Sequence, residues 1–198
     1  MSTHTAASLT GSQALNKLVS GNKRYIDSTL SHPHQTPSRR NELAAGQHPF
    51  AIILGCADSR VAPEIIFDQG LGDLFVIRVA GNIVDDAILG SIEYAAEHLH
   101  TPLLVVLGHS NCGAVGATIA GGELEGHLPS LAEAIHPAVE QARGQEGDLL
   151  DNAVRANAKM VAEQVKASEP ILAHLVKAGK LKVVAARYDL DSGKVDFL

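Results

Sequence analysis

Residues 51–60 read Ala51-Ile52-Ile53-Leu54-Gly55-Cys56-Ala57-Asp58-Ser59-Arg60. An unbroken apolar run ends in a small residue, then a cysteine, an acid and a base. A run this short, with no polar interruption, reads as a strand buried on both faces of a parallel sheet. The chain does the same thing again at Leu103-Leu104-Val105-Val106-Leu107-Gly108, which runs into His109-Ser110-Asn111-Cys112-Gly113. Cys56 and Cys112 are the only 2 cysteines, and each stands just past one of these strands. Two thiolates and one imidazole make a ligand set that suits Zn2+ and leaves a fourth position for water or another side chain. Spacing alone keeps a second reading open, in which both cysteines are small buried hydrophobes.

Working outward, residues 73–79 form another apolar run and residues 182–186 a fourth, with 195–198 as a short antiparallel edge strand after the Asp191-Ser192-Gly193-Lys194 turn. Between them lie helical patterns. Ile88, Leu89, Ile92, Ala95, Ala96 and Leu99 share one face of a helix capped by Asn82 or Asp85 and broken at Thr101-Pro102. Further helices are expected at 63–67, 112–120, 129–142, 149–167 and 169–178, with Gly121-Gly122, 144–147 and Gly179 as stops. Strands alternating with helices predict an α/β fold with a mostly parallel sheet and right-handed crossovers, helices on both faces.

The amino-terminal part reads differently. Residues 1–11 are expected to be disordered. Leu15, Leu18, Val19 and Ile26 recur at near-helical spacing, and Ser31-His32-Pro33-His34-Gln35-Thr36-Pro37 reads as an extended linker. Ser38 is expected to cap a helix over 39–45. One domain covers 1–198, with 1–37 as a helical arm and linker and 38–198 as the α/β core.

Composition narrows the function. The chain has 198 residues, 45% hydrophobic and 19% charged, enough for one domain with a sizeable core. A formal net charge of −6 with no basic cluster argues against nucleic acid. No apolar run approaches the ~18 residues of a membrane span, and Met1–Ser12 lacks the pattern of a secretory signal. Both cysteines are taken by the metal reading, so no disulfide framework is expected and a reducing cytoplasm fits.

Cys56-x-Asp58-x-Arg60 followed by His109-x-x-Cys112, with Arg78-Val79-Ala80-Gly81-Asn82 and Glu93-Tyr94, resembles the β-class carbonic anhydrases, in the pattern of the plant-type subgroup. The resemblance runs from about Asn16 to the carboxyl terminus. It implies strand order 2-1-3-4, which places Cys56 and His109–Cys112 where the winding reverses, the usual place for a ligand in such sheets. It implies zinc on Cys56, His109 and Cys112, and reversible hydration of CO2 to bicarbonate and a proton by zinc-bound hydroxide. It further implies a homodimer or homotetramer in which the arm lies on a neighbour.

Roles for other residues follow from the same resemblance. Asp58 either takes the fourth metal position in a closed state or, paired with Arg60, accepts a hydrogen bond and orients the attacking oxygen. The competing reading is an ordinary surface ion pair. Gln47, nine residues before Cys56, matches a glutamine that donates to substrate oxygen. Phe75, Ala80 and Tyr94 match an apolar CO2 pocket, with Ala80 smaller than the residue often found there. Gly113 could offer a backbone N–H to product. A regulatory bicarbonate site of another subgroup needs a tryptophan where this chain has Ile53, and the chain has 0 Trp. His48 reads as a loop histidine or a proton shuttle. Two rivals share the motifs: a carbonyl sulfide or carbon disulfide hydrolase on the same scaffold, which sulfide release would reveal, and a non-catalytic zinc protein or bicarbonate sensor, which would not need Gln47, Asp58 and Arg60.

Overall fold

The computed structural model describes residues 9–198. The expected disorder over 1–11 falls mostly outside the described residues. Its last part does not hold: Thr10 caps α1 (Gly11–Ile26) in a reciprocal box with Gln13.

Five strands form one sheet in the order β2-β1-β3-β4-β5. They are β1 (Ala51–Gly55), β2 (Leu74–Arg78), β3 (Leu103–His109), β4 (Lys182–Tyr188) and β5 (Val195–Phe197). The first four run parallel and β5 is antiparallel to β4. β1 and β3 are buried at every position, as their unbroken apolar runs require. Alternation splits the core into two layers. Ile52, Leu54, Leu104, Val106 and Val183 face one side, and Ala51, Ile53, Leu103, Val105 and Leu107 face the other. Burying each Leu or Ile contributes about 1.5–3 kcal/mol.

The first side is covered by α4 (Asp86–Glu93), α7 (Leu149–Ala167) and α8 (Ile171–Lys177). Asp85, one of the two residues expected to do so, caps α4, and a wider π-helical turn, Tyr94–His98, continues it. α7 comes close to β3 because position 108 is glycine; a Cβ there would meet Val154 Cγ1 at 3.2 Å and Val154 O at 3.4 Å. The other side is covered by α1 and the single turn α3 (Pro63–Ile66). Beyond the carboxyl ends of the strands lie α5 (Gly113–Ala120) and α6 (Leu128–Ala142).

Most bounds fall within a residue or two of expectation, and the differences with a physical reason are these. The helix placed at 39–45 is α2 (Pro37–Leu43), and its cap is Thr36 rather than Ser38; Pro37 sits at its first position, where a missing N–H costs nothing. β4 continues past residue 186 because buried Tyr188 pairs in register with His109. The amino-terminal helix is not a detached arm in this chain. Ala14 and Leu18 are fully buried against its own sheet. The buried Asn22 side chain donates to Ile66 O and Gly193 O and accepts from Val195 N. The linker is likewise tied down, with Ser31 N and His32 N donating to the buried Asp68 carboxylate. Among the described residues no helix is long and apolar enough to cross a membrane.

A candidate metal centre at the carboxyl ends of β1 and β3

β1 and β3 are parallel neighbours with Gly55 opposite Leu107. Cys56 and His109 therefore leave adjacent strands at one edge of the sheet. Cys112 is the residue before the first turn of α5, and the intervening Asn111 takes a left-handed conformation (φ 54°) that turns the chain back. The two Sγ atoms and a ring nitrogen of His109 all lie within 4.8 Å of one another. All three residues are buried.

The tautomer of His109 follows from its neighbour. Nδ1 lies 2.8 Å from the carbonyl oxygen of Ser110, so Nδ1 carries the hydrogen and Nε2 the lone pair. Ser110 is itself held, its N–H donating to Tyr188 O and its Oγ accepting from Leu190 N. Nε2 is buried with no hydrogen-bond partner among the described residues. A buried acceptor left unpaired costs free energy, and a cation between the sulfurs would use it. This donor set fits a small, borderline-soft dication and leaves a coordination position open.

The thiols are poised for that partner. Cys56 is pushed down to about 4, first by the hydrogen bond from the Cys112 thiol, against burial, with help from the Gly81 N–H at 3.3 Å and the Asp58 N–H. Cys112 is pushed up because it shares its proton with the Cys56 thiolate and is itself buried. Alone, the pair keeps one proton between two sulfurs. A dication beside them favours the loss of both.

Asp58 and Arg60 stand at the rim. Arg60 donates from Nε to Oδ1 at 2.9 Å and from Nη2 to Oδ2 at 2.7 Å, and its backbone N–H also reaches Oδ1. Arg60 is more exposed than Asp58, with side-chain accessibilities of 53% and 16%. The Arg60 hydrogen bond is the main reason the Asp58 carboxyl sits well below the usual carboxylate range.

Two further groups were not singled out for a role from sequence. Arg78, at the end of β2, donates from Nε to Cys56 O at 3.0 Å and from Nη2 to Asp58 O, so one guanidinium fixes the backbone of the whole 56–58 loop. A charge closing an otherwise apolar strand was the available signal. Gly81 sits at φ 71° within the short turn Ala80–Asn82 and aims its N–H at Cys56 Sγ.

The remaining expected residues divide. Ala80 lies half-buried next to Gly81, beside the centre. Gly113 begins α5, exposed, where a helix start leaves amides unpaired. Phe75, on the edge strand β2, and Tyr94, just after α4, pack on each other on the face of the sheet that α4 covers, ring centroids 6.3 Å apart, with Tyr94 49% exposed. Gln47 is not brought to the centre. It lines a hollow with Arg40, Leu43, Leu71 and Gly72 at the amino ends of β1 and β2, so about 16 Å of β1 separates it from Cys56. His48 lies exposed at that same end.

Comparison with known proteins agrees with this geometry. A family profile described as "Carbonic anhydrase" matches residues 51–195. The chain is 43% identical over 181 residues to "Carbonic anhydrase 2" of Mycobacterium tuberculosis, covering 89% of this chain and 87% of that one. It is 40% identical over 184 residues to a carbonic anhydrase of Mycolicibacterium smegmatis, covering 90% and 89%. Among solved structures, a tetrameric β-carbonic anhydrase of Sordaria macrospora superposes with a TM-score of 0.76 at 25% identity, covering 93% of this chain and 96% of that one.

Proposed function

The chain belongs to the β-carbonic anhydrase family and catalyses the reversible hydration of carbon dioxide, and we propose that it does so with Zn2+ held by Cys56, His109 and Cys112. The observation that carries the metal assignment is the buried, unpartnered Nε2 of His109 facing two thiols beside an arginine-locked carboxylate. When bound, the ion supplies Lewis acidity, bringing the pKa of a water toward neutrality.

The protein's own groups do the rest. Asp58, charged throughout the neutral range, offers Oδ2 as a hydrogen-bond acceptor at the rim and orients the attacking oxygen toward the carbon. Arg60 keeps that oxygen aimed and away from the metal position. The Gly113 amide at the start of α5 would donate to bicarbonate. Arg78 and the Gly81 N–H hold the loop and the sulfur that would ligate the ion.

Gln47 can serve such a site only from another copy of the chain, because its own lies at the opposite end of the strands. The aromatic pair Phe75–Tyr94 at the open edge of β2 offers apolar surface for that meeting, and a tetrameric relative supports assembly. Buried free thiols at a metal centre favour a reducing compartment such as the cytoplasm. The glutamine and the absence of tryptophan support the plant-type reading. The comparisons favour neither the sulfide-releasing hydrolase nor the non-catalytic sensor. Metal analysis combined with stopped-flow CO2 hydration and a sulfide-release assay on the same preparation tests the proposal; sulfide release without CO2 hydration would overturn the substrate.

A further inference from the structure

Asn157 lies in the middle of α7, 1% exposed, among alanines and valines that pack on the sheet. Its Nδ2 donates to Gly81 O at 2.8 Å. Its Oδ1 is buried without a partner among the described residues. An unpaired buried acceptor costs free energy, and a leucine or methionine at this helix position would avoid that. The amide therefore answers to something other than packing.

Gly81 is the link. Its left-handed conformation presents the carbonyl to α7 on one side and the N–H to Cys56 Sγ on the other. The turn is pinned again by Asn82 N donating to Val79 O at 3.0 Å. With both sides of Gly81 held, the N–H cannot swing off the sulfur. Two backbone donors favour charge on Cys56 Sγ, the Gly81 N–H at 3.3 Å and, behind it, the Asp58 N–H, and Gly81 is the one that α7 holds.

We infer that Asn157 is a positioning residue for the metal centre: by gripping Gly81 O, it keeps the Gly81 amide hydrogen-bonded to the Cys56 sulfur. A hydrogen bond to a thiolate withdraws charge from it, so the sulfur donates less to the ion it ligates. Groups of this outer kind orient ligands and tune the metal without touching it. The inference rests on the metal assignment above and adds to it a residue roughly a hundred positions away in the chain from Cys56.

Cobalt(II) provides the test, because thiolate-to-cobalt charge transfer reports sulfur donation directly. The full-length protein and Asn157→Leu are loaded with Co2+ and compared at one pH. The freed Cys56 sulfur should move the charge-transfer band to lower energy, and the loss of its fixed orientation, which outweighs its stronger donation, should lower Co2+ affinity about tenfold. Thermal unfolding of the metal-free proteins checks the fold; if the leucine variant does not fold, Asn157→Ala is read in the same way. A purely structural role would alter stability and leave the band in place, so a folded variant with an unmoved band and unchanged affinity overturns the inference. A parent protein that takes up no Co2+ overturns the metal assignment beneath it.

Discussion

Oδ2 of Asp58 stands 3.8 Å from Nε2 of His109, the one imidazole nitrogen in the centre that is free to bind a metal. The carboxylate is thus close enough to compete for the ion and is restrained from doing so by two hydrogen bonds from the Arg60 guanidinium.

Releasing that restraint should convert Asp58 from a positioned acceptor into a ligand. Arg60→Ala is expected to keep its zinc, lose CO2 hydration by about 10²-fold, and show a carboxylate oxygen as the fourth protein donor. A crystal structure of the variant decides. An active Arg60→Ala enzyme with Asp58 turned away would sink this reading while leaving the three-ligand site intact.

Cys112→Ala should lose most of its zinc, because two protein donors are too few for a stable tetrahedral site. Elemental analysis after gel filtration measures this. Retention of a full equivalent of metal together with full activity would show that the centre is assigned wrongly.

Asp68 governs acid stability at the other end of the fold. Burial pushes its carboxyl up, but hydrogen bonds from Ser31 N, Arg24, the Ser31 hydroxyl and His32 N together hold it well below the usual range. A depressed folded pKa means that its stabilisation is present above the unfolded value of about 3.9 and is lost as pH falls through the folded one. Asp68→Asn should therefore unfold more easily by about 1–3 kcal/mol near neutrality, with the gap to the parent closing below about pH 4. Denaturant titrations across that range provide the check, and a gap that stays constant would rule the linkage out.

Mixing experiments address Gln47. Gln47→Ala chains carry an intact metal centre, and Cys112→Ala chains carry an intact glutamine. If each copy lends its glutamine to another's centre, the two variants should regain, after subunit exchange, hydration that neither shows alone. A mixture no more active than its components would mean that Gln47 serves no neighbouring site.

Much of this was legible before any coordinates. The strands bearing Cys56 and His109 announce themselves as polar-free runs, and two cysteines at two strand ends leave few ways to arrange a ligand set. The rest depended on proximity that sequence distance conceals. Gln47 is nine positions from Cys56, yet an extended strand between them puts the two at opposite ends of β1. Asn157 is far away in sequence and reaches Cys56 through the single residue Gly81. An apolar stripe on α1 states that the helix has a partner without saying which, and Asn22 shows that its own chain supplies one. β4 outran its expected end because Arg187 and Tyr188 read as a polar finish, whereas Tyr188 is buried against β3.

The Asn22 contacts also bear on how the molecule is made. A ribosome releases α1 ahead of its docking face, which is built from β1, α3 and β3. The partners of Asn22 at Gly193 and Val195 lie 171 and 173 residues further on, a delay on the order of ten to thirty seconds at typical synthesis rates. Until they emerge, Asn22 has only Ile66 O to hold, and two of its three hydrogen bonds stay open. The latch closes only once β5 is in place, so a chain carrying β5 should resist proteolysis at α1 where a ribosome-stalled chain ending before Gly193 does not.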